Sequence, residues 1–220
     1  MFGADFFFNI SETDFSEIFE NKLYPWEILP EIGDFIKKKT NLSELGYKEI
    51  SEGVFVGKNT TIAPTASIQA PAIIGHNCEI RHCAFIRGNA IVGNNCVIGN
   101  SCEIKNSFIF NNVQIPHFNY VGDAVMGYKS HIGAGVICSN VKSIPGSVKA
   151  DTPEGRIDTK LKKFSAIIGD FVEVGCNSVL NPGTLIGKNS VVYPLSNVRG
   201  YIPPDHIFKS KQEVIKKLKE

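Results

Sequence analysis

Two cations and one imidazole stand where chemistry could be done. Arg87 and Lys105 each directly follow an isoleucine, Ile86 and Ile104, and lie 18 residues apart. Two long cations held side by side repel each other unless an anion sits between them or they splay into solvent. A phosphate bound by Arg and Lys would satisfy such a pair. Glu103 lies two residues before Lys105 and so shares its face, where it could tether one of the cations or a histidine. Further on, Ile115 to Asp123 carries His117, Tyr120 and Asp123. The ordinary imidazole pKa of about 6.5 suits a general base at neutral pH, which a lone histidine here could supply. A turn-forming histidine accounts for His117 equally well.

These side chains can meet only if something brings residues 18 apart together. A period of six does so. Val56, Ile62, Ile68, Ile74, Ile80, Ile86, Val92, Ile98 and Ile104 follow one another in steps of six, with Phe110 next in phase. If aliphatics fill about a quarter of positions, nine in a row arise by chance on the order of once in a hundred thousand to a million. A helix of 3.6 residues per turn would scatter them. Short flat strands joined by corners keep them aligned. Three such sides close a triangular coil of 18 residues, and stacked coils form parallel sheets. Two residues before each aliphatic stand small residues, among them Cys78, Cys96 and Cys102. These point inward near a corner, so they read as packing rather than as metal ligands. His76 and His82 fall on different sides of the triangle, which argues against a metal cluster with Cys78 and Cys83. The phase slips by one residue near 110–126, and a break that carries His, Tyr and Asp marks a candidate site.

The expected fold is all-β: a left-handed parallel β-helix of about seven coils with a short N-terminal helical cap and a C-terminal helix. Residues 1–52 lack the repeat and read as a helical cap or partner-facing arm. Ser11 to Phe19 is expected to be a short helix capped by its serine, with further helices at Trp26–Leu29 and Ile32–Lys39 and with Pro25 and Pro30 as breakers. Residues 53–204 are the stack, interrupted by a polar, cationic loop over 141–163, and 205–220 reads as an amphipathic helix. A long loop leaving a rigid repeat is often functional.

Composition narrows the function. The 220 residues hold 23 Lys and Arg against 22 Asp and Glu. That balance argues against nucleic-acid binding, which rests on excess cations. No apolar run approaches the roughly 18 residues of a membrane span. The start, Met1 to Asp5, has no basic region before an apolar stretch, so a cytoplasmic address is expected.

The segment Pro116-His117-Phe118-Asn119-Tyr120-Val121-Gly122-Asp123-Ala124 and the run His131-Ile132-Gly133-Ala134-Gly135 with Ser139-Asn140, set in a hexapeptide stack, resemble the acetyltransferase domain of the bifunctional enzymes that make UDP-N-acetylglucosamine. Residues 166–204 look like a branch related to sugar-1-phosphate nucleotidyltransferases. The resemblance implies a homotrimer whose sites form between subunits, acetyl-CoA as co-substrate, no metal, and a small-molecule sugar phosphate as partner. It places a catalytic base at His117, with Glu103 beside the substrate, and a phosphate clamp at Arg87 and Lys105. It also puts sugar contacts at Tyr120 and His131, a residue beside the acetyl group at Asn140, and acyl-donor contacts at Ala134, Lys163 and Cys176. Three positions depart from the pattern: His131 replaces an asparagine, Val141 a tyrosine and Cys176 a serine.

The implied activity is N-acetylation of an amino-sugar 1-phosphate such as glucosamine 1-phosphate. Two other classes stay open at this point. One is a non-catalytic sugar-phosphate-binding or regulatory module related to the nucleotidyltransferases. The other is a carbonic anhydrase of the same fold, whose histidine spacing is not met because position 122 is glycine.

Overall fold

The computed structural model describes residues 2–209. Their short strands form a left-handed parallel β-helix with three walls. The first wall has nine strands, of which only Lys48–Ser51 is antiparallel. The second, starting at Thr61–Ile62, has eight strands, and the third, starting at Ser67–Ile68, has seven. The seven strands of the third wall close seven complete coils, as expected, and the first and second walls each add one strand of an unfinished eighth. The period-six aliphatics from Val56 to Ile104 line the prism, most of them fully buried, with Cys78, Cys96 and Cys102 beside them. Each of these three thiols faces a main-chain oxygen, that of Gly93, Phe110 and Ile115 respectively. Packing explains them, as expected. Asparagines at corners, such as Asn59, Asn77 and Asn95, take φ of 54 to 60°, a left-handed conformation that asparagine tolerates.

The phase slip resolves into two shortened corners. Ile104 and Ile109 are five residues apart, as are Val121 and Met126, and strand pairing runs Ile104 to Val121 and Ile109 to Met126. Two coils therefore have 17 residues. Each missing residue falls where the third wall turns into the first, at tight corners where Asn106 and Asp123 take the left-handed conformation. Phe110 consequently leaves the inner column. Ile109 takes the place in the prism, and Phe110 packs outside with the N-terminal arm.

That arm covers the first wall. The wall's outward residues are apolar (Ile73, Ile91, Phe108, Val125, Ile167 and Leu185), and all six are buried beneath Phe7, Phe8, Phe19, Trp26 and their neighbours. Contacts run along the whole wall, from Tyr47 against His76 to Phe2 against Tyr201. The arm is thus a side cover rather than an end cap. Asp170 fastens it, accepting from Asn9 N–H at 2.6 Å and Tyr128 N–H at 2.8 Å. One expected helix is shorter than predicted, and another begins one residue earlier. Only Ser16–Phe19 coils in the Ser11 segment, as a 3-10 turn, and Ser11 Oγ bonds Asn9 instead of capping it. Pro25 begins the 3-10 turn Pro25–Ile28 rather than breaking a helix, since a first-turn proline lacks only an N–H that would go unused. Ile32–Lys38 is helical as expected.

The inserted loop is partly ordered as a hairpin, Lys149–Thr152 with Gly155–Asp158. Its Val148 and Ala150 are buried in the arm's core together with Phe164. The C-terminal expectation needs correction at its start. Ile207–Phe208 is the last strand of the second wall, paired with Val191–Val192, and Phe208 takes the inward position while Ile207 is exposed. Residues 210–220 lie outside the described residues.

Candidate active site

Alternation along the third wall decides which side chains are presented. Ile86, Ile104, Val121 and Cys138 point inward. The residue before each points outward, giving a column of Phe85, Glu103, Tyr120 and Ile137 in strand register. The residue after each forms a second outward column of Arg87, Lys105, Gly122 and Ser139. Arg87 and Lys105 are therefore neighbours on adjacent strands, as the 18-residue spacing requires.

The repulsion between them is met by carboxylates. Arg87 Nη1 is 2.7 Å from Glu103 Oε1, and Lys105 Nζ is 3.0 Å from Asp123 Oδ2. Glu103 thus engages Arg87 and not His117. Asp123 occupies one of the shortened corners, at φ 52°, with its side chain 6% exposed. It also accepts from Asn106 Nδ2 at 2.8 Å and from Asn140 Nδ2. Asn140, in turn, donates to the Tyr120 hydroxyl at 3.1 Å. The phenol lies directly over Gly122: a Cβ there would stand 2.4 Å from the Tyr120 oxygen, so only glycine leaves room. Burial, reinforced by Asp123 and Glu103, raises the Tyr120 pKa above its ordinary value. Tyr120 therefore stays a neutral hydroxyl with a proton to donate. Two groups thus lie side by side on the wall: the Arg87–Glu103 pair, and Lys105, Tyr120 and Asn140 gathered with Asn106 around Asp123.

His117 sits on the other edge of this wall, at the corner where the second wall turns into the third. Its backbone is pinned on both sides. The N–H donates to Asn119 Oδ1 at 3.1 Å, and the carbonyl accepts from Gly135 N–H at 3.0 Å. Asn119 is buried and donates onward to the Gly133 carbonyl at 2.7 Å. The imidazole itself is exposed, next to Phe118, and has no hydrogen-bond partner among the described residues. The corner of the next coil is Ala134, whose N–H likewise has no acceptor among the described residues. Cys176 follows one coil on, stacked over Gly133 and exposed. His117, Ala134 and Cys176 thus share one corner ladder.

Two predicted residues stand apart from both groups. His131 is on the second wall, where Nδ1 lies 2.6 Å from Glu173 Oε2. Lys163 is exposed at the end of the insertion, and the next residue, Phe164, donates its N–H to the Asn140 carbonyl at 3.0 Å. Asn106 and Asn119 are site residues that the sequence reading does not single out, and Asp123, flagged there only as part of the break, proves central. The signal for Asn106 and Asp123 was available, since each lies in a five-residue step between inward aliphatics. Among the described residues no group of three or more His, Cys, Asp or Glu is placed to hold a metal ion. No described helix is long and apolar enough to cross a membrane.

Residues 69–152, which span both shortened corners, match the family model for the GMPPB C-terminal domain. The bifunctional protein GlmU of Methanococcus vannielii is 31% identical over 218 residues, covering 87% of this chain and 47% of that protein. A bifunctional sugar-1-phosphate nucleotidylyltransferase/acetyltransferase of Sulfurisphaera tokodaii is 33% identical over 103 residues, covering 47% of this chain and 26% of that protein. The chain spans about half the length, or less, of these curated relatives. Among solved structures, a point mutant of AntD, an N-acyltransferase from Bacillus cereus in complex with dTDP-4-amino-4,6-dideoxyglucose and coenzyme A, covers 80% of this chain and 91% of its own, at 19% identity and a TM-score of 0.43. The chain is GlmU-like, in agreement with the resemblance carried by its own motifs.

Proposed function

We propose that this protein is an acyl-CoA-dependent N-acyltransferase that acetylates an amino-sugar 1-phosphate of the glucosamine 1-phosphate kind. One observation carries the reading: two cations on adjacent strands share a wall with a corner histidine whose imidazole is exposed and has no partner among the described residues. In this reading the acceptor's phosphate displaces Glu103 and Asp123 from part of their hold on Arg87 and Lys105. Tyr120 donates to a sugar oxygen, and Asn140 keeps Tyr120 in place. The acceptor's amine attacks the thioester carbonyl of acetyl-CoA. His117 takes the amine proton, and the coenzyme A thiolate leaves as the amide forms. The Ala134 N–H, with no other acceptor, supports the developing oxyanion. Asn140, expected to hold the acetyl carbonyl, has its amide donors on Tyr120 and Asp123, which gives it a positioning part. Cys176 and Lys163 would flank the donor.

The protein acts as a homotrimer in the cytoplasm. The first wall lies under the arm, which leaves the second and third walls for self-association. Exposed Phe118, Ile137 and Leu195 cluster at or near the corner between them. A neighbouring subunit there would bring its own groups to the His117 corner, and His131 faces that side.

A non-catalytic sugar-phosphate sensor remains as a second reading because both clamp cations already hold carboxylates. The deciding experiment mixes the full chain with acetyl-CoA and a panel of amino-sugar 1-phosphates and follows thiol release. Release that depends on both substrates supports the enzyme. Saturable sugar-phosphate binding without release supports the sensor.

A further inference from the structure

The inserted hairpin encloses a cationic cavity lined by none of the residues assigned above to the acyl-transfer site. Its volume is about 410 Å³, within the range of small-molecule sites. The floor is the third wall beyond the proposed site, at Ser139, Asn181 and Arg199; the sides are the insertion. The hairpin is seated firmly. A Cβ on Gly183 would lie 2.3 Å from the Lys149 carbonyl oxygen, and Gly183 adopts φ 85°, so glycine is required where the strand crosses the stack. Buried Val148 and Ala150 anchor that strand from behind.

The charge in this cavity is lopsided. Arg156 is held by Asp151, Nε to Oδ1 at 2.5 Å. Lys142, Lys149 and Arg199 form no ion pair among the described residues. Lys149 stands across the hairpin from Asp158, while Lys142 and Arg199 have no carboxylate paired with them among the described residues, and such cations lining one cavity are unfavourable unless solvent or an anion answers them. Val141, 53% exposed, and Ile144, 77% exposed, add an apolar ledge at the same cavity. Arg199 is four strands along the wall from Lys105, roughly 19 Å at the usual strand spacing. One phosphate cannot bridge both places.

We infer that this cavity binds a nucleotide through its pyrophosphate, with Lys142, Lys149 and Arg199 on the phosphates and the Val141–Ile144 ledge against the base or ribose. The inference does not rest on the acyl-transfer reading. The pyrophosphate could belong to a free nucleoside diphosphate or to the adenosine end of coenzyme A. The cavity is also tied to the network on its wall. Ser139 and Val141 line it, while Asn140 between them holds Tyr120 and Asp123. Ordering of this segment by a nucleotide would reach the acceptor side.

The test is calorimetric titration of the full chain with UDP, ADP, coenzyme A and inorganic phosphate at matched ionic strength. The inference expects at least one pyrophosphate-bearing probe to bind at least tenfold more tightly than inorganic phosphate. Arg199→Ala and, separately, Lys142→Glu on the exposed loop should each weaken that binding about tenfold, and Arg87→Ala should not. Binding of UDP or ADP would assign the site to free nucleotides. Binding of coenzyme A alone, still lost in the two variants, would assign it to the donor's adenosine end. The inference is overturned if inorganic phosphate binds as tightly as the nucleotides, or if no probe binds. It is also overturned if Arg87→Ala alone weakens binding. These binding outcomes stand whether or not thiol release is seen.

Discussion

Lys105 Nζ and Asp123 Oδ2 meet at 3.0 Å across a corner that is one residue short. The shortened corner draws the carboxylate inward, where it also receives Asn106 and Asn140. Replacing Asp123 by asparagine keeps the size but adds an amide donor facing those amide donors. Lys105 and Asn140 would lose their common anchor. If the proposed activity is present, Asp123→Asn should raise the acceptor KM about tenfold, with a smaller change in kcat. It should also lower stability by about 1–3 kcal/mol, the usual consequence of leaving a buried polar group unmatched. Steady-state kinetics with varied acceptor and a urea titration check both. A fall in kcat alone would show that Asp123 does not organise acceptor binding.

His117 is exposed and its imidazole makes no hydrogen bond among the described residues, so its removal separates chemistry from stability. His117→Ala should lower turnover by about 10² to 10⁴, the ordinary contribution of a positioned base. Stability should change by less than about 0.5 kcal/mol, as for surface substitutions without special contacts. Unchanged turnover would take His117 out of the mechanism.

The prism was legible because burial of one aliphatic every six residues repeats without interruption from Val56 to Ile104. The clamp was legible for the same reason: a fixed period converts spacing into contact, and Arg87 and Lys105 stand in register. The unfinished eighth coil is harder to see, because Ile207–Phe208 falls where a C-terminal helix is expected. Phe110 was misplaced because a step of five is invisible until the next aliphatics are paired. The covered wall left its own signal. Every third edge carries an apolar outward residue, as in Ala72-Ile73-Ile74 and Ala166-Ile167-Ile168, which only a cover could explain. Ion-pair choices were not legible. Glu103 could have reached either Arg87 or a histidine, and only side-chain geometry decides between partners at similar sequence distance.

Exposed Cys176 offers a check on the donor side. Of the six cysteines only Cys83 and Cys176 are exposed. A maleimide at neutral pH should therefore label these two first. If the donor lies along the His117 corner, acetyl-CoA should slow labelling of Cys176 severalfold and leave Cys83 unchanged. Peptide mapping of the labelled protein reads this directly. Equal labelling of both with saturating acetyl-CoA would place the donor elsewhere.

Cys138 gives the stack an alkaline limit. It is completely buried between coils, and burial pushes its thiol up to about 12 from 9.0. The unfolded chain releases this proton near the ordinary thiol pKa, whereas the folded chain keeps it. Between these values the native state binds more protons, so stability falls as pH rises. The slope from this one group is about 1.4 kcal/mol per pH unit. Cys138→Ala should lose some baseline stability yet show a flatter decline between pH 9 and 12. Denaturant midpoints across that range test it, and parallel slopes in the two proteins would contradict the assignment.

The arm's grip on the first wall can be tested through one ring pair. Phe8 and Phe110 stack with centroids 4.8 Å apart and planes 26° from parallel, and both are fully buried. Phe110 owes this position to the short corner at Asn106; in an uninterrupted period it would point into the prism, out of reach of Phe8. Either truncation to alanine should cost about 3–5 kcal/mol. That cost alone cannot distinguish the two placements, since a prism residue would lose as much. The interaction between them can. Rings in contact should show coupling of about 0.5–1.5 kcal/mol in a Phe8→Ala, Phe110→Ala double-mutant cycle. Strictly additive losses would return Phe110 to the inner column and leave the arm with a different seat on the wall.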